Sequence, residues 1–136
     1  MHKNSELKKI LQETSNRLKK DETPYSWGHF GKCNCGHLAQ TVTKLTSKEI
    51  HESASFLGGD WGVRVEEYCP VSRFLIDDII RKLLTLGLEH EDIIHLENLS
   101  DKNVLGKIPG QPTYLDRNSK EHAILYFDAL IELIDD

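Results

Sequence analysis

Leu75, Ile76, Ile79, Ile80, Leu83, Leu84 and Leu86 recur at the spacing of a 3.6-residue period and cover well over a third of a helix circumference. A helix with so broad an apolar face must be surrounded on most sides, so the segment from about Ser72 to Leu86 predicts a central core helix. Gly87 suits the left-handed position that ends it. Asp77 and Asp78 interrupt the apolar run, and one of them is expected to face solvent and pair with Arg81 or Lys82 a turn away.

The rest of the chain supplies helices to pack around that one. Leu7, Ile10, Leu11 and Leu18 make one stripe after Ser5, a plausible N-cap, and the helix should end before Thr23-Pro24 because proline disfavours the α conformation in the preceding residue. Leu38, Ala39, Val42 and Leu45 form an amphipathic face on a second helix starting near Asn34 or Cys35. Thr46 and Glu49 read as a capping box, which predicts a third helix reaching Phe56 or Leu57. Short helices are expected at Glu91-Asp92 and at Ser100-Asp101-Lys102. Asn118 with Glu121 reads as the start of a last helix carrying Ala123, Ile124, Phe127, Leu130, Ile131 and Ile134. Residues 63–68 alternate weakly, but with no partner strand they read as an extended or one-turn connector. The expectation is a single all-α domain over 1–136, a globule of about five to seven helices including single-turn pieces.

Charge and composition narrow the function classes. Seventeen Lys and Arg against twenty-two Asp and Glu leave −5, which argues against DNA or RNA as a partner, since tracking a phosphate backbone needs local positive charge. The imbalance is uneven: residues 1–22 carry +2 and the remainder −7. The longest apolar run, Ala123 to Phe127, is far short of the ~18 residues that span a bilayer, so no membrane partner is expected. The opening Met1-His2-Lys3-Asn4-Ser5-Glu6 lacks the apolar core of a secretory signal, and a cytoplasmic location is expected. Three cysteines are an odd number, which does not make a disulfide framework.

Two irregular loops hold the remaining chemistry. Residues 24–36, Pro-Tyr-Ser-Trp-Gly-His-Phe-Gly-Lys-Cys-Asn-Cys-Gly, have no period and are rich in aromatics and glycine; residues 58–70 contain Trp61 and Cys69. Loops of this composition on a helical scaffold are where sites usually live. His29, Cys33, Cys35 and His37 lie within nine residues, and Cys69 and His51 could be brought near them by the fold. Two thiolates and two imidazoles are a sufficient tetrahedral set for zinc. Only one residue separates Cys33 from Cys35, so both sulfurs converge only if that tripeptide is loop, which Gly31 and Gly36 permit. The alternative is that the thiols are buried fillers and the histidines cap or pack.

Three functional readings follow. The first is a small binding domain with a Cys/His-lined site that ligates a transition metal through some of His29, Cys33, Cys35, His37 and Cys69. The second is a helical adaptor that docks a protein partner through residues 1–22. The third is a cysteine enzyme: Cys35 or Cys33 stands at a helix N-terminus, where unpaired amides and the helix dipole lower a thiol's pKa. That local pattern, a Cys, a small residue and then an amphipathic helix, resembles the nucleophile position of papain-like and transglutaminase-like enzymes over about a dozen residues. The resemblance implies a general base, for which His29, His37, His51 and His122 are candidates. Tyr25, Trp27, Phe30 and Trp61 could line a pocket beside the cysteines or close a small core.

Overall fold

Asn4, not Ser5, caps the first helix: its side-chain oxygen accepts from Leu7 N, and α1 runs Ser5–Leu18. The computed structural model describes all 136 residues, and its regular structure is all helix, eight helices and no strand. That exceeds the expected five to seven. The additional helix is α4, Trp61–Glu66, where an extended or one-turn connector was expected; Asp60 caps it by accepting from Val63 N. The remaining elements are α2 (Asn34–Thr43), α3 (Ser47–Ser55), α5 (Leu75–Leu86), α6 (His90–Asn98), α7 (Lys102–Leu105) and α8 (Lys120–Asp135).

Several local signals act as their chemistry dictates. Thr46 and Glu49 form both bonds of the capping box at the start of α3. Gly87 ends α5 at φ +127°, and a second, unforeseen box of Glu89 and Asp92 opens α6. The last helix is capped by Ser119 accepting from His122 N, in place of the expected Asn118–Glu121 pair. Asp78 pairs with Arg81 at 2.6 Å as expected. Asp77 is buried, and it accepts from Cys69 N and from the Ser72 hydroxyl, which folds residues 69–74 into a turn. Those bonds delay the start of α5 from Ser72 to Leu75.

The centre of the molecule is α2 and not α5. Helix α2 touches α1, α3, α5 and α6, whereas α5 packs on α2, α3 and α4. Small residues make this possible. At Gly36 a Cβ would lie 2.3 Å from the Phe30 carbonyl oxygen, and at Gly31 it would lie 2.0 Å from the Ser47 carbonyl oxygen. The 25–33 loop thus lies directly against α2 and α3, backbone on backbone.

A buried helix with polar residues must satisfy them internally. The α1 side, the 23–33 loop and α6 do this. Arg17 donates to Thr41 Oγ1 at 2.7 Å and to the His37 carbonyl at 2.6 Å, Gln40 donates to the Gly31 carbonyl, and Asn34 donates to the Glu97 carbonyl. The stripe of α1, including Leu7, Leu11 and Leu18, is buried against α8 and α2. The apolar stripe of α1 is therefore part of the core, and its charged side, with Lys9 and Glu13, faces outward. No helix is long and apolar enough to cross a membrane.

Candidate functional site

The five proposed ligands do not converge on one point: Cys33 and Cys35 lie beside Glu97, and His29, His37 and Cys69 go elsewhere. Cys33 is the N-cap of α2: its Sγ accepts from Gly36 N at 3.4 Å, and the thiol faces the Phe30 carbonyl. Cys35 donates to the Ile93 carbonyl at 3.3 Å. His37 is held by Pro24, with Nε2 2.8 Å from the carbonyl oxygen, and stacks on Tyr25. Burial lowers its pKa to about 4, so the ring is neutral. His29 stacks on His51 with ring centroids 4.0 Å apart. Each ring's Nδ1 accepts a backbone N–H, from Gly31 and Phe30 respectively, and burial together with His51 lowers the pKa of His29. Cys69 sits at the turn before α5, against Asp77. No group of three or more His, Cys, Asp or Glu side chains is arranged to hold a metal ion.

The thiols have the opposite electrostatics from those expected at a helix N-terminus. Both are fully buried, and desolvation followed by the nearby Glu97 carboxyl raises both pKa values well above the ordinary thiol range. The helix dipole does not offset these two effects. At pH 8 iodoacetamide should label one thiol per native chain, Cys69, which is partly exposed, and three in denaturant. Mass spectrometry of the digest locates the adduct, and modification of Cys33 or Cys35 in the native protein would contradict the burial described here.

Glu97 is the residue that sequence reasoning missed, and it organises this end of the molecule. Its backbone carbonyl accepts from Trp27 Nε1 at 2.9 Å and from Asn34 Nδ2 at 3.0 Å, so α6 ties the loop and the start of α2 together. Its side chain is 2% exposed, makes no ion pair, and takes one long bond of 3.4 Å from Cys35 N to Oε1. Burial raises its pKa to about 7; the neighbouring thiols and the Cys35 amide pull it down, and Asp60 pushes it further up. A carboxyl in this position exchanges its proton near neutrality.

That carboxyl borders a pocket of about 170 Å³ lined by Trp27, Gly28, Phe30, Gly59, Asp60, Trp61 and Glu97. Two loops bring these residues together. Gly58 and Gly59, at φ +77° and +73°, turn the chain so that Asp60 caps α4 and Trp61 begins it. Trp61 is buried and donates from Nε1 to the Phe30 carbonyl at 3.0 Å, while α4 packs on α6 and faces Glu97 across the gap. Tyr25, expected beside the other aromatics, instead places its hydroxyl 2.5 Å from Asn34 Oδ1 and 2.6 Å from the Arg117 carbonyl. Arg117 covers a face of Trp27, with its guanidinium carbon 3.9 Å from the ring centroid, and does not line the pocket. Comparison with known proteins returned no matching family model, no matching curated protein and no matching solved structure.

Proposed function

We propose that this protein is a small-molecule-binding domain whose ligand seats between Trp27 and Trp61, over Glu97. The observation that carries this reading is the Glu97 carboxyl, buried without an ion-pair partner at the edge of a pocket walled by three aromatic rings. Burying a carboxyl in apolar surroundings is costly, and here the strong structural bonds of Glu97 are made by its backbone while its carboxyl accepts only a long bond from Cys35 N. Concave aromatic surface with a few convergent polar groups and a perturbed pKa is the usual composition of a ligand site. The volume is below the ~300–1,000 Å³ of pockets for drug-sized molecules, so the occupant is fragment-sized. Against the sequence expectation, the thiols lie behind Glu97 and do not line the site.

The chain's two tryptophans both line this pocket, so its indole signals report on the site alone. A fragment library screened by the two indole N–H resonances should yield compounds that shift both together and saturate. The shift of the remaining Trp61 resonance should be lost on Trp27→Ala. A library of varied charge and shape that leaves both resonances in place would overturn the reading.

A further inference from the structure

We infer that the ligand is a compact organic cation, an alkylated ammonium head group, bound among the aromatic walls of the pocket with its charge directed at Glu97 and Asp60. This rests on the proposed pocket and names the chemistry it selects. The lining holds two carboxylates and no Lys, Arg or His. Neither acid has an ion-pair partner in the fold, and Asp60, which is exposed, commits only Oδ1, to the α4 amide of Val63. An anion would meet two acids and no base, whereas a cation supplies the counter-charge that neither acid has in the fold.

The walls point the same way. Phe30 and Trp61 pack on each other at 54° with centroids 6.2 Å apart, and the half-buried Trp27 completes the aromatic lining. Trp27 already holds one cation on a face, the Arg117 guanidinium at 3.9 Å. Aromatic faces attract ammonium groups through the ring quadrupole, most strongly for tryptophan, and the attraction grows when water is excluded. An alkylated ammonium fits better than a bare one. Its methyl groups fill an apolar pocket too small for a large ligand, and it asks for no hydrogen bonds that rings cannot supply.

The charged and titratable groups facing Glu97 are Cys33 and Cys35 from the start of α2, Asp60 from the cap of α4 and Tyr25 from the loop. None of them is cationic, so a bound ammonium would be the only positive charge beside the carboxyl. Binding should therefore release a proton from Glu97 below neutrality and strengthen as pH rises to about 8.

Tryptophan fluorescence titrations with choline and with its neutral isostere 3,3-dimethylbutan-1-ol, at pH 8 and constant ionic strength, test this on the full chain. Choline should bind about tenfold more tightly than the alcohol. Glu97→Gln should remove that preference while leaving the alcohol's affinity in place. Asp60→Asn, which keeps the helix cap because asparagine caps as well as aspartate, should weaken choline in the same direction and covers the case in which the Glu97 variant does not fold. Equal binding of the two compounds, or binding of the alcohol alone, overturns the cation inference and leaves the pocket reading intact. If neither compound nor any library fragment perturbs the indoles, the pocket reading itself fails. A trimethyllysine peptide in a parallel titration separates a side-chain source of the head group, which it would match, from a free small molecule, which it would not.

Discussion

Replacing Gly36 by alanine should cost about 3 kcal/mol or more of stability, although a glycine-to-alanine change inside a helix normally gains up to about 1 kcal/mol. The sign is set by contact. Gly36 lies in the first turn of α2, and a Cβ there would lie 2.3 Å from the Phe30 carbonyl oxygen and 2.5 Å from the Gly31 carbonyl carbon. Both neighbours are backbone, so no rotamer can relieve the clash. The loop would have to lift from α2, and Phe30 would carry with it the bonds to Trp61 Nε1 and His51 Nδ1. Gly31→Ala should act alike, since its Cβ would meet the Ser47 backbone at 2.0 Å. Gly28→Ala is the control: it lines the same pocket, nothing lies within 4 Å of its Cβ, and its effect should stay within about 1 kcal/mol. Urea denaturation of the three variants checks the order, and a Gly36 variant as stable as the parent would refute the close loop–helix packing.

The packing explains which features were legible in the sequence. Periodicity located the long helices because each turns a continuous apolar face inward, and the Thr46–Glu49 pair and Gly87 marked ends that depend on neighbours in the chain. Trp27, Phe30 and Trp61 could be named as pocket candidates from composition alone. Glu97 could not, because an acid in a helix rich in His, Glu and Asp reads as surface. One signal was available: Ile93, Leu96 and Glu97 fall at i, i+3 and i+4, which puts the acid on the apolar face. The dominance of α2 was hidden for a different reason. Its contacts come from what Cys35, Gly36 and Ala39 lack in bulk, and hydrophobic patterning rewards large side chains. Helix α4 is only six residues long, too short to show a period, and is held by the Asp60 cap and by Trp61.

Glu97→Gln should make the protein more stable at pH 8, by about 3 kcal/mol, and no more stable near pH 4. In the unfolded chain the carboxyl ionises near its ordinary 4.5, whereas in the fold it holds its proton to about 7. Its stabilising contribution is therefore complete below pH 4.5 and is lost as pH rises through about 7, at roughly 1.4 kcal/mol per unit. His37 runs the other way. Its pKa falls from 6.5 to about 4 on folding, so its contribution is complete above pH 6.5 and is lost as pH falls towards 4. Between about 4.5 and 6.5 the two slopes oppose each other, and their joint contribution to the parent's stability should be nearly flat. The Gln variant retains only the His37 slope, so its stability relative to the parent should rise across that window and level off above pH 7. Urea midpoints at half-unit steps from pH 4 to 8 measure both curves, and parallel curves would refute the buried, protonated Glu97. A carboxyl whose removal strengthens the fold at neutral pH is one the fold does not need, and this trade of stability for a charged, aromatic-walled pocket is the pattern that binding sites show.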